Sequence, residues 1–132
     1  MKKFFRCEHC GNIIGMIEDH NVPVVCCGEK MKELVPNTVD AANEKHIPAV
    51  TVDGDKISVK VGEVEHPMTE EHYISWVFVE TQQGGQRKAF KLGNAPAAEF
   101  AVTGGDKAIA VFAYCNLHGR REIGRASCRE RV

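Results

Sequence analysis

From Pro48 onward the apolar positions of the chain alternate with polar ones at a period of two. Val50 and Val52 flank Thr51, Asp53-Gly54-Asp55 offers a turn, and Ile57, Val59 and Val61 alternate with Ser58 and Lys60, which predicts a β-hairpin. A second strand is expected over Tyr73 to Val79, with Ile74, Trp76 and Phe78 on one face. Gln83-Gly84-Gly85-Gln86 reads as the next turn, followed by a strand over Lys88 to Leu92 with Phe90 and Leu92 inward. Ala98 to Val102 and Lys107 to Tyr114 are two further strands, separated by Thr103-Gly104-Gly105-Asp106. Short strands at this spacing, without a long amphipathic helix, predict an antiparallel sandwich.

The first 36 residues differ in kind. They carry too few large apolar side chains to hold a core, so a unit this small needs a metal, disulfides or a partner chain. Val35-Pro36-Asn37 marks the boundary, and Val39 to Lys45 has room for only a helical turn or two. Glu122 to Val132 shows neither periodicity and is expected to lack regular structure. It resembles the translation of a sequencing adapter, so residues 122–132 are expected to be a non-native tail. Removing its three Arg and two Glu takes the formal charge from -1 to -2.

Composition narrows the function. Hydrophobic residues at 43% and charged residues at 27% are ordinary for a soluble domain of 132 residues. A net charge of -1 argues against a protein built to neutralise nucleic-acid phosphates. No apolar run approaches the roughly 20 residues of a membrane span. The Met1-Lys2-Lys3-Phe4-Phe5 opening is cut short by Arg6, Cys7, Glu8 and His9, so a cytoplasmic protein is expected. The unusual feature is six Cys and six His in so short a chain. In a reducing compartment such clusters read first as metal ligands or redox groups.

Two constellations carry chemistry. Cys7-Glu8-His9-Cys10 is followed after fifteen residues by Cys26-Cys27-Gly28, and four thiolates on one ion suit tetrahedral zinc or iron. Adjacent Cys26 and Cys27 must reach that ion from a cramped backbone, so a distorted tetrahedron is expected. A structural zinc knot remains open on these residues alone. His9 and His20 are expected to face solvent. The second constellation is His46, His66, His72, Cys115 and His118. Singly, each His suits a surface role. Together they lie at strand ends and loops, which can gather at one end of a sandwich. Four imidazoles and one thiolate leave one octahedral position open, a set that favours iron over structural zinc.

With these residues in view the chain resembles desulfoferrodoxin, the two-iron form of superoxide reductase, over about residues 1 to 121. The Cys7/Cys10/Cys26/Cys27 set is similar to that family's small rubredoxin/desulforedoxin-like domain. Glu44-Lys45-His46-Ile47-Pro48, Glu65-His66-Pro67-Met68, the His72 segment and Tyr114-Cys115-Asn116-Leu117-His118-Gly119 are similar to its catalytic immunoglobulin-like β-sandwich. The resemblance implies two domains, 1–36 and 37–121, and two Fe ions per chain. One is an FeS4 centre; the other is held by His46, His66, His72 and His118 in a plane with Cys115 axial. It also implies reduction of superoxide to hydrogen peroxide in oxidative-stress defence, with Lys45 beside the substrate and Glu44 able to take the sixth iron position. A rubredoxin-type electron donor and a homodimer are implied as well; no nucleic-acid or membrane partner is. Two other readings stand beside it, a non-enzymatic iron electron carrier and a zinc-dependent binding module.

Overall fold

Every regular element is a β-strand among the described residues of the computed structural model, which are 2–35, 48–61, 68, 73–116 and 122–127. The chain divides into two units, Met1–Val35 and Pro36–Val132. The short helix considered for Val39 to Lys45 lies outside the described residues.

In the first unit, β1 (Phe4–Arg6) is the centre of a three-stranded antiparallel sheet between β2 (Ile13–Gly15) and β5 (Lys32–Glu33). A separate hairpin pairs β3 (Val25–Cys26) with β4 (Glu29–Lys30). Strands of two and three residues bury little. The large apolar side chains the unit hides are Phe4, Met31 and Leu34, together with the thiol of Cys7.

The second unit is an antiparallel sandwich of immunoglobulin-like kind. One sheet has the order β10-β7-β6, from β6 (Pro48–Asp53), β7 (Lys56–Val61) and β10 (Ala97–Ala101). The other has the order β12-β11-β8-β9, from β8 (Ile74–Thr81), β9 (Gly84–Ala89), β11 (Ala108–Cys115) and β12 (Glu122–Ser127). The expected β6–β7 hairpin turns at Gly54-Asp55, with Gly54 at φ +61, a conformation a side chain would strain. Val50, Ile57, Val59 and Phe100 of the first sheet meet Val77, Val79 and Val111 of the second in one apolar core.

Three expectations need correction. Ile74, Trp76 and Phe78 do not share a face. Tyr114 pairs with Trp76 but Cys115 pairs with Ile74, so Ser75 is an extra residue in β8 and the alternation flips there. Ile74 therefore joins Val77 and Val79 toward the sandwich interior. Trp76 and Phe78 turn to the other side, where Trp76 stacks on Tyr114 at 5.6 Å and Phe78 packs against Phe112 at 6.5 Å.

The third β-hairpin also turns earlier than its glycines suggest. Thr81 pairs with Gly84, so Gln82-Gln83 is the turn, Gly84 and Gly85 lie within β9, and Leu92 beyond it is half-exposed. Gly85 serves close approach rather than turning: a Cβ there would lie 2.2 Å from Cζ of Phe78. The third correction is β12, where no regular structure was expected. Main-chain pairing needs only donors and acceptors in extended register, and the open edge of β11 supplies them from Ala110 to Cys115.

The remaining side of the sandwich is stitched by side chains. Gln86 Nε2 donates to the Ala101 carbonyl at 2.6 Å, and Lys88 Nζ donates to the Glu99 carbonyl while lying 5.1 Å over the Phe100 ring. These bonds satisfy edge carbonyls of β10 that would otherwise be open to another strand.

The clash at Gly85 gives a direct check. Gly85→Ala is expected to destabilise the sandwich by about 1–3 kcal/mol, the usual cost of overpacking. Chemical denaturation should show this, and Phe78→Leu in the same chain should recover part of it by withdrawing the ring.

Candidate metal centre

Cys7 follows β1 directly, and Cys10 closes the turn after it. Gly11, at φ +83, reverses the chain. Its N–H donates to the Cys7 carbonyl at 2.9 Å, and the Cys7 N–H donates to the Asn12 carbonyl at 2.9 Å. This knuckle aims main-chain donors at sulfur: Cys10 N–H at Cys7 Sγ and Asn12 N–H at Cys10 Sγ, each at 3.5 Å. The second pair sits on the β3–β4 hairpin. Cys26 pairs with Glu29, and Cys27 and Gly28 are the two turn residues, at φ +53 and +79. Two successive left-handed residues make a type I′ turn.

That turn resolves the problem of adjacent cysteines. Neighbours on a plain strand point to opposite faces. The left-handed backbone at Cys27, which costs about 1–3 kcal/mol for a residue with a side chain, brings its sulfur to 4.0 Å from Cys26 Sγ. Cys10 Sγ lies 3.6 Å from Cys26 Sγ, and all four sulfurs lie within 4.8 Å of one another. Tetrahedral bonds of about 2.3 Å to one ion place sulfurs roughly 3.8 Å apart, so the cluster fits a soft metal. A disulfide needs sulfurs about 2.05 Å apart, and Cys7, Cys10, Cys26 and Cys27 are all free thiols.

The sulfurs are electrostatically unequal. The Cys10 amide, more than any other neighbour, pulls the Cys7 thiol down to about 6 against the opposing effect of its burial. Cys27 is pushed up to about 12 and Cys26 is also raised, in both cases chiefly by the sulfur of Cys10. Four thiolates in this space repel one another, and a cation removes the repulsion. His9 and His20 face solvent as expected: His9 pairs with Glu29 at 3.1 Å and His20 with Glu18 at 3.6 Å. Arg6 is a buried cation beside the knuckle, and nothing in the Phe4-Phe5-Arg6 run marks its charge as inward.

In the second unit Cys115 ends β11 with only 1% of its surface exposed. It packs with Val61, Ile74 and Ala113, and Met68 lies against the same cluster. Asn116 ties the end of β11 to the start of β8: its N–H donates to the Tyr73 carbonyl at 3.1 Å, and its Oδ1 accepts from Tyr73 N–H at 2.8 Å. The Ile74 N–H donates to Met68 Sδ at 3.3 Å. Glu44, Lys45, His46, His66, His72 and His118 lie outside the described residues, as does Cys128.

Residues 1–34 match the family model described as desulfoferrodoxin, N-terminal domain, and residues 38–123 match that described as desulfoferrodoxin. The chain belongs to the desulfoferrodoxin family. A desulfoferrodoxin homolog of Archaeoglobus fulgidus is 41% identical over 120 residues, covering 91% of this chain and 94% of its own. The desulfoferrodoxin of Nitratidesulfovibrio vulgaris is 41% identical over 117 residues, covering 89% and 91%. Among solved structures, the superoxide reductase from Treponema pallidum superposes with a TM-score of 0.81 at 36% identity, over 96% of this chain and 98% of that one. Among the described residues no helix is long and apolar enough to cross a membrane.

The sulfur electrostatics predict how the chain takes up metal. At pH 7.5 Cys7 has lost its proton while Cys26 and Cys27 keep theirs, since a raised thiol ionises only at higher pH. Binding an ion through all four sulfurs must then release at least two protons. Affinity for Zn2+ or Co2+ is therefore expected to rise with pH, by about a hundredfold or more between pH 6.5 and 7.5. Competition with a chelator at the two pH values measures this, and a pH-independent affinity would mean the raised thiols are not ligands.

Proposed function

We propose that this chain is a superoxide reductase that converts superoxide, one electron and two protons to hydrogen peroxide. Residues 37–121 carry the reaction and residues 1–36 a second iron centre, while 122–132 serve neither. In this reading His46, His66, His72, His118 and Cys115 hold the catalytic iron, and Cys7, Cys10, Cys26 and Cys27 hold the other. Bound by the first set, ferrous iron supplies the electron.

The observation that carries the reading is the gathering of Met68, Tyr73, Ile74 and Asn116 around the buried Cys115. These residues are near neighbours in sequence of three expected ligands. Met68 is two residues after His66, Tyr73 follows His72, and Asn116 is two before His118. Burial keeps competing oxidants and water from the Cys115 sulfur, and the Tyr73–Asn116 bonds fix the chain on either side of the site. The likeness to the Treponema pallidum superoxide reductase over nearly the whole chain supports the same activity.

Lys45 and Glu44 divide the remaining work. The Lys45 ammonium draws the anionic substrate in and offsets negative charge on the product oxygens. With iron held by the first set, the Glu44 carboxylate would be available as a further ligand and would favour release of the product. Electrons arrive from a small rubredoxin-type protein, and the working form is a cytoplasmic homodimer, as the family resemblance implies.

Lys45→Ala should retain iron and its thiolate absorption, yet slow the second-order reaction with superoxide by about tenfold or more and flatten its ionic-strength dependence, as loss of a steering charge does. Glu44→Ala should leave that encounter rate nearly unchanged and alter the ferric spectrum. Pulsed generation of superoxide at two salt concentrations measures both. A Lys45→Ala protein with the parental rate and salt slope would remove Lys45 from the mechanism. Separately, Cys26→Ser should abolish the absorption of the four-cysteine centre while pre-reduced protein still consumes superoxide. Loss of both metals together would show that one site depends on the other.

A further inference from the structure

Arg6 is the one charged side chain buried among the described residues, at 10% exposure. Its Nη1 donates to Glu8 Oε2 at 2.9 Å, and Glu8 itself is half in solvent at 51%. A Cβ on Gly11 would sit 3.5 Å from Arg6 Nη2, so the cation lies against the backbone of the knuckle between Cys10 and Asn12. Burying an arginine costs several kcal/mol unless nearby negative charge offsets it, and one half-exposed carboxylate is a weak offset. Arg6 immediately precedes the ligand candidate Cys7, and the sulfur cluster is the other source of negative charge, because four thiolates outweigh any divalent or trivalent ion they bind.

We propose that Arg6 is the counter-charge of the four-cysteine centre, moderated by Glu8, and that the pair sets how readily that centre accepts an electron. This rests on the reading that the centre holds iron. Reduction adds one negative charge to a site that already carries an excess. A fixed cation at the knuckle stabilises the reduced form, and the Glu8 carboxylate works against it.

The test is an optical redox titration of the iron-loaded full chain, followed at the ferric-thiolate absorption of the four-cysteine centre. Arg6→Gln is expected to lower the equilibrium constant for reduction by about tenfold, which for one electron is about 59 mV. Arg6→Lys keeps the charge and should recover most of that. Glu8→Gln should move the potential upward, the opposite direction. A purely structural role for the pair would move both neutral variants the same way or not at all, and either result overturns the proposal. Should Arg6→Gln fail to hold metal, Glu8→Gln still decides: its side chain is half-exposed, and an unshifted or lowered potential refutes the charge assignment. Superoxide consumption is measured on the same samples. Its absence from the parent protein counts against the proposed reaction without touching the potential shift.

Discussion

Four sulfurs within 4.8 Å of one another are the constraint on which the first unit depends. Its strands are two or three residues long, and Phe4, Met31 and Leu34 are the large apolar side chains it buries. Ordering a residue costs about 1–2 kcal/mol of backbone entropy, far more over 35 residues than those three side chains return. Sulfur–metal bonds supply a favourable contribution of the kind that so small a core lacks. The unit's unusual features then have one cause. Gly11 and Gly28 take left-handed backbone, Cys27 accepts strain at φ +53, and main-chain N–H groups aim at sulfur rather than at carbonyls. Each gives up some ordinary backbone stability to bring the sulfurs together.

The second unit is governed differently, by packing between two sheets. Here the extra residue Ser75 matters most. Without that bulge, Ile74 would face away from Val77, and the Cys115 end of β11 would lose its apolar neighbour across the strand pair. With it, Ile74 and Cys115 are paired and buried together, while Trp76 and Tyr114 stack on the opposite side. One inserted residue thus lets the same two strands build a core on one face, an aromatic stack on the other, and a protected thiol at their end.

These features were unequally legible in the sequence. The Cys7-to-Cys10 spacing and the period-two runs of β6 and β7 follow from local chemistry, and the structure agrees with them. The hidden features depend on partners distant in the chain. A bulge leaves no mark in β8 itself, because Ile74, Trp76 and Phe78 alternate perfectly until Tyr114 and Cys115 impose the register. Gly85 looks like a turn residue until the Phe78 ring occupies the place of its Cβ. β12 has no side-chain pattern because its pairing with β11 is made by main chain. The adjacent cysteines looked cramped only on the assumption of ordinary strand backbone, which the type I′ turn at Cys27-Gly28 removes. For the proposed catalytic site, the sequence pointed to Cys115 as a thiol at a strand end, and its burial depends on Val61, Ile74 and Ala113 from elsewhere in the fold. The aspects of the site that rest on His46, His66, His72 and His118 come from motif resemblance.

The exposure of the sulfurs separates the tasks that two irons in one chain would perform. Cys10 and Cys27 are exposed and Cys26 is half-buried, so the rim of the four-cysteine centre meets solvent. An exposed sulfur rim suits electron exchange with a partner, for which contact at the surface is enough and no open metal position is required. Cys115 is the reverse case, sealed behind Val61, Ile74 and Ala113. A thiolate in such surroundings can donate charge to a metal on one side while its own oxidation is suppressed on the other. In the proposed reaction, a site that would release a peroxide needs that protection more than an electron carrier does. Under the proposed function, burial of the one sulfur and exposure of the others fit substrate turnover in the sandwich and electron exchange in the small unit.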